Sequence, residues 1–242
     1  MGVIVYIDTI LVPISLFLTV GYHAYLWNTI KNKPSHTTIG MDKLRRTAWF
    51  VNLKKELMNC MVQLGEDKKG MLAVQSLRNT LMAAILTATI TILVNLALAA
   101  LANNSYSASH LFKGAFFGTQ SGRIFALKYG SASLFLVISF LCSSMAIGYL
   151  IDANFLMNAY GEFSSQLGYT QTILERGFTL ALIGNRVLCI TFPLLLWMLG
   201  PVPVMLASLA LVWGLYELDF AAKFTIRDKP TDLTIEEKCI RV

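Results

Sequence analysis

Residues 177–216 read GFTLALIGNRVLCITFPLLLWMLGPVPVMLASLALVWGLY, an apolar block of 40 residues. One helix needs only ~20 residues to cross the hydrocarbon core of a bilayer, so the block holds enough chain for two crossings. Its midpoint carries Gly200-Pro201-Val202-Pro203. Proline lacks the N–H that a helix interior needs and glycine tolerates unusual backbone angles, so this quartet either breaks one helix or turns between two. The basic residues discriminate. If the block crosses once, the twenty Lys and Arg divide twelve to eight between the two faces. If it crosses twice, sixteen fall on one face and three on the other, with Arg186 left inside a span. Basic residues favour the cytoplasmic side. The sequence therefore predicts five spans, near 3–27, 77–101, 131–157, 177–199 and 202–218, with the amino terminus outside or lumenal and the carboxyl terminus cytoplasmic. The alternative is four spans, the last broken at 200–203.

Composition points the same way. Of 242 residues, 55% are hydrophobic and 14% are charged, and the mean hydropathy is +0.59. Soluble domains carry about 25% charged residues. This chain lacks the charge to clothe a water-facing surface, whereas a surface that faces lipid needs none. Residues 1–220 read as one all-α transmembrane domain and 221–242, with Pro230, as a polar flexible tail. The net charge of +6 is spread through loops rather than gathered on a soluble module. That pattern suits an anionic membrane face, in the endoplasmic reticulum or the plasma membrane, and argues against nucleic acid.

No basic leader or small-residue cleavage site marks the first span, and Lys31 and Lys33 follow it, so it reads as an uncleaved helix. Tyr6 breaks the myristoylation pattern, and Arg241 stands where the prenylation box needs an aliphatic residue. Asn103-Asn104-Ser105 is a glycosylation sequon, but it abuts the second span. Cys60, Cys142, Cys189 and Cys239 are far apart and supply neither a metal site nor a disulfide framework.

The basic segment 28–76 is long enough to hold structure of its own. Phe50, Leu53, Leu57, Met61 and Leu64 recur at helical spacing with Trp49 alongside, and Arg45, Arg46, Lys54 and Lys55 supply the polar side. An amphipathic helix is expected, either lying on an anionic lipid face or packed beneath the bundle.

Two spans carry polar stripes. Asp8, Ser15, Thr19 and His23 fall within a quarter of the helix circumference, and Thr80, Thr87, Thr91 and Asn95 repeat the spacing. Such stripes line water-filled paths in some bundles and serve plain helix packing in others, where hydroxyls satisfy their own backbone. Charges inside spans stand out because each costs ~2.5–3.5 kcal/mol at mid-membrane. Arg186 is the deepest and needs a partner. Asp152, at the end of the third span, is the candidate, and the two together suggest charge selectivity or a site for an anion or lipid headgroup.

Enzyme signals are weak. His23, His36 and His110 share no metal-ligand spacing, and the chain has no H-E-x-x-H, G-x-S-x-G or phosphate-loop motif. Neither enzyme activity nor a cofactor is expected.

A set of local motifs nevertheless has a family character. It comprises Asp8-Thr-Ile-Leu-Val-Pro13, Gly21-Tyr-His-Ala-Tyr-Leu-Trp27, Leu72-Ala-Val-Gln-Ser-Leu-Arg-Asn-Thr80, Ala126-Leu-Lys-Tyr129 and Asn154-Phe-Leu-Met-Asn158. It continues with Arg176-Gly177, Gly184-Asn-Arg186, Pro193-Leu-Leu-Leu-Trp197, Gly200-Pro201 and Leu215-Tyr-Glu-Leu-Asp-Phe220. Together these resemble a plant multi-pass membrane family known only as domain of unknown function 599. The resemblance spans nearly the whole chain before the tail and implies a fold, with no activity and no catalytic residues to carry over. Gly148 stands where that family often has a basic residue, so a charge pairing built on that position is absent here.

Taken together, the residues predict an oligomeric ion channel or transport-type protein. Asp8, Thr19, His23, Thr80, Thr87, Thr91 and Asn95 would line its path, and Arg186 would set charge selectivity. The alternative is a non-conducting scaffold or adaptor that docks lipids or proteins through 28–76. Anionic lipids and a second copy of the chain are the expected partners.

Overall fold

A computed structural model describes residues 2–58, 66–107, 122–158 and 167–227. Within them, every regular element is helical: α1 (Gly2–Asn32), a 3-10 turn (Pro34–His36), α2 (Thr38–Met58), α3 (Glu66–Ser107), α4 (Gly122–Asn158), α5 (Leu167–Leu196) and α6 (Pro201–Arg227). Five helices contain segments long and apolar enough to cross a membrane: Ile10–Asn32, Val74–Asn103, Ala126–Met157, Gly168–Leu196 and Pro201–Ala221. The protein is an all-α multi-pass membrane protein, and the long apolar block forms two helices. Several helices outrun the bilayer. The 42 residues of α3 extend about 63 Å at 1.5 Å per residue, twice the hydrocarbon thickness.

The turn between α5 and α6 follows from its residues. Pro193 lies inside α5, which continues to Leu196. The Met198 N–H then donates to the Leu195 carbonyl at 3.1 Å and the Leu199 N–H to Leu196 at 2.9 Å, tightening the helix end. Gly200 takes a φ of 144°, a conformation closed to side-chain-bearing residues. Pro201 opens α6 at the position where a missing N–H does no harm.

In space the order is α1, α6, α5, α4, α3, with the α4–α5 contact the most extensive. Its seam follows a heptad pattern. Ala132, Leu136, Ser139, Ser143, Ala146, Leu150 and Ala153 alternate steps of four and three, and each is at most 1% exposed. Opposite them, Thr170, Gly177, Gly184 and Thr191 recur every seven residues and are buried. A 3.5-residue repeat keeps one face toward its partner, as in a coiled coil. The glycines permit close approach. A Cβ on Gly184 would stand 2.5 Å from Ser143 Oγ, and one on Gly177 would stand 2.9 Å from Leu150. Ser139 donates across this contact to the Gly184 carbonyl at 2.6 Å.

The helix α2 lies at one end of the bundle, called here the α2 end. Thr37 caps it, its hydroxyl accepting from the Gly40 N–H at 3.2 Å. The Thr38 hydroxyl donates to the carbonyl of Leu218 at 3.2 Å. Trp49 packs on a core cluster of Leu77, Leu150, Ala153, Ile173 and Leu174, contributed by α3, α4 and α5. Arg46 lies 3.5 Å from Glu175 of α5 and stacks over the Phe178 ring at 4.3 Å. Over this stretch α2 is a strap beneath the bundle. Arg46, expected on the membrane surface, is turned inward because a carboxylate and an aromatic face on α5 receive it. Arg45 does reach solvent, 74% exposed, 3.8 Å from Asp42. The side chains of Lys54, Lys55, Phe50, Leu53 and Leu57, together with Met61 and Leu64, lie outside the described residues, as does the chain beyond Arg227.

Large apolar side chains face outward along the spans, including Phe17 (77% exposed), Trp213 (71%) and Met82 (68%). In water such a surface would drive aggregation, and in lipid it is the natural exterior.

Candidate functional site: a buried arginine–aspartate–tyrosine cluster

Helix direction explains how the deepest charge is satisfied. Side chains lean toward the amino-terminal end of their helix. The helix α5 runs away from the α2 end, so Arg186 hangs back toward it. Running in the opposite sense, α6 carries an Asp219 that leans up to meet the guanidinium. Arg186 Nη1 donates to Asp219 Oδ2 at 2.9 Å, and Nη2 donates to Oδ1. From α1, the Tyr22 hydroxyl donates to Oδ2 at 2.5 Å. The Asp219 side chain is 2% exposed and that of Arg186 is 15% exposed. A planar fork on a carboxylate is the geometry in which arginine is best satisfied. The third hydrogen bond makes the cluster a joint between α1, α5 and α6.

Around the cluster, Tyr22, Leu26, Leu215 and Phe220 form a buried patch. Tyr216 and Tyr25 stack on Phe220 with centroids 4.8 and 5.8 Å away. Cys189, one turn beyond Arg186, is half-buried and free. No group of three His, Cys, Asp or Glu that could hold a metal occurs among the described residues.

The partner of Arg186 is thus Asp219 rather than Asp152, which is exposed on α4. The last span expected from the sequence, 202–218, stops one residue short of Asp219, whereas α6 stays helical to Arg227. A signal was available. Val204, Ser208, Leu215 and Asp219 recur at helical spacing, and all are buried, so the aspartate occupies a core position of the helix.

Three of the expected path residues are turned into the protein: Thr19 is 2%, Thr91 1% and Thr87 9% exposed, and Ser15 of the same stripe as Thr19 is 0% exposed. Their hydroxyls donate to carbonyls of their own helices, at Ser15, Ala88, Ala83 and Val12 respectively. His23 donates from Nδ1 to the Thr19 carbonyl at 2.8 Å; its Nε2 is buried without a hydrogen-bond partner among the described residues. Asn95 accepts from Ser133 of α4 at 2.8 Å. Thr80 and Thr87, together with Asn185 and Arg46, border a groove of about 510 Å³ between α2, α3 and α5. The Asp8 side chain lies outside the described residues.

Residues 10–224 match the family described as "Protein of unknown function, DUF599". The chain belongs to the DUF599 family. The match takes in α2 and all five spans, so the family is defined by the bundle and its strap together. No curated protein and no solved structure matches the chain. The DUF599 description carries no activity, and the reading of function rests on the geometry.

Proposed function

We propose that this DUF599 protein is a non-conducting, non-catalytic membrane scaffold whose α2 end is a docking surface for anionic lipid on the cytoplasmic side. One observation carries the reading: Thr19, Thr87, Thr91 and Asn95 of the spans hydrogen-bond within the single chain, while among the described residues the exposed charge gathers at the α2 end. Lys31, Lys33, Lys43, Arg45, Arg78 and Arg176 are exposed there, against Asp42, Asp152 and Glu217. Charge of this sign attracts anionic headgroups and supports a cytoplasmic α2 end in this reading. Residence in the endoplasmic reticulum or plasma membrane of a plant cell, without a cofactor, belongs to the same proposal.

The groove beside Thr80, Thr87 and Asn185 favours a second reading, an oligomeric channel or transport-type protein. There a further copy of the chain would close the groove into a path, with Arg186 one residue from its wall. Ion flux through the purified protein in liposomes separates the two, with a Thr87→Val/Thr91→Val variant alongside. The scaffold predicts no flux in several salts and at several voltages. Flux whose conductance or selectivity changes in the variant would overturn it in favour of the channel.

A further inference from the structure

A second groove of about 530 Å³ lies at the α2 end between α2, α4 and α5. Its α2 contribution is Lys43 and Thr47, its α5 contribution runs from Gln171 to Leu180, and α4 adds Tyr149 and Met145. The chemistry is graded along its length. Lys43 and Arg176 stand at the polar end, and both are exposed. Neither is paired with a carboxylate among the described residues. The acidic residue of the groove, Glu175, is engaged by Arg46 from its other side at 3.5 Å, so the local field is set by the two free cations. Thr47, Thr172 and Thr179 donate their hydroxyl protons to carbonyls of their own helices. They are left as acceptors, and an anion would be held by the cations. Met145 and Leu180 close the other end. The eight steps from Thr172 to Leu180 rise about 12 Å along α5, away from the α2 end, which carries the groove from headgroup depth into the apolar layer.

We infer that this groove is a site for one anionic glycerophospholipid, its phosphate between Lys43 and Arg176 and the start of an acyl chain against Met145 and Leu180. A free anion would use the cations alone. The apolar end, opening beside lipid-facing helices, is what selects a lipid. The inference rests on the reading of the α2 end as a lipid-docking surface and narrows it from a diffuse basic face to two residues.

The test is native mass spectrometry of the full chain in detergent micelles, titrated with phosphatidylserine or with phosphatidylcholine bearing the same acyl chains. Wild type retains one phosphatidylserine in preference to phosphatidylcholine. Lys43→Gln/Arg176→Gln lowers that affinity about thirtyfold, each cation near an anionic surface contributing about fivefold. Lys43→Arg/Arg176→Lys keeps the charge and keeps binding, while Lys31→Gln/Arg45→Gln removes two cations outside the groove and leaves the bound lipid in place. If the glutamine pair retains phosphatidylserine as wild type does, the site is overturned while the docking surface stands. If wild type shows no preference for phosphatidylserine, both fail. Displacement of the bound lipid by millimolar inorganic phosphate would reassign the site to a free anion.

Discussion

Removing Asp219 is the sharpest perturbation of the bundle. In Asp219→Leu, Arg186 keeps its charge in a setting where its side chain is only 15% exposed and both guanidinium donors lose their acceptor. Breaking one side of a buried pair costs about 3–5 kcal/mol, because the remaining charge is left uncompensated. Asp219→Asn is expected to be milder, at about 3 kcal/mol. One carboxylate oxygen becomes an amide donor facing a donor, and the remaining bonds lose their charge assistance. In Arg186→Met/Asp219→Leu no charge is left to desolvate, and stability should return to within about 1.5 kcal/mol of wild type. Arg186→Met alone should likewise cost about 3–5 kcal/mol, so the coupling between the two positions would be at least about 4.5 kcal/mol in size and favourable, well above the scatter of independent sites. Reversible unfolding in mixed micelles with increasing dodecyl sulfate, followed by circular dichroism, measures wild type, the three single variants and the double. Two results would refute the reasoning: a loss below about 1 kcal/mol in the single variants, or simple additivity in the double. Either would mean that water reaches the pair and that it is not the joint between α1, α5 and α6.

Three further expectations concern glycine. Gly184→Ala should destabilise the protein by about 1–3 kcal/mol in the same assay, because the new methyl meets Ser143 Oγ at 2.5 Å and the Ser139 carbonyl at 3.2 Å. Gly148→Ala, where nothing lies within 4 Å, should be neutral or stabilising by up to about 1 kcal/mol through helix propensity. Gly200→Ala forces a side-chain-bearing residue to a φ of 144°, and a loss of about 1–3 kcal/mol is expected from backbone strain. An unchanged unfolding midpoint in Gly200→Ala would show that the turn relaxes freely.

The five long apolar helices and the turn at Gly200-Pro201 follow from the sequence by itself. Those features depend on quantities local to the chain: apolar run length against bilayer thickness, the backbone demands of proline and glycine, and the sidedness of basic residues. DUF599 membership was legible for a similar reason, since its motifs are short and local. Tertiary structure decided what each polar residue does. A threonine at helical spacing presents the same pattern whether its face meets water or a neighbouring helix, and only the packing of the chain shows Thr19 and Thr91 withdrawn. The partner of Arg186 was likewise open from the sequence. Asp152 and Asp219 lie at the same end of the chain's crossings, and the choice rests on α5 lying beside α6 with opposite direction, which brings the two side chains together. The fate of Arg46 also waited on the fold, because its partners Glu175 and Phe178 are about 130 residues away in the chain. Run length and local propensity are encoded residue by residue, whereas pairing across helices depends on which faces the whole chain brings into contact.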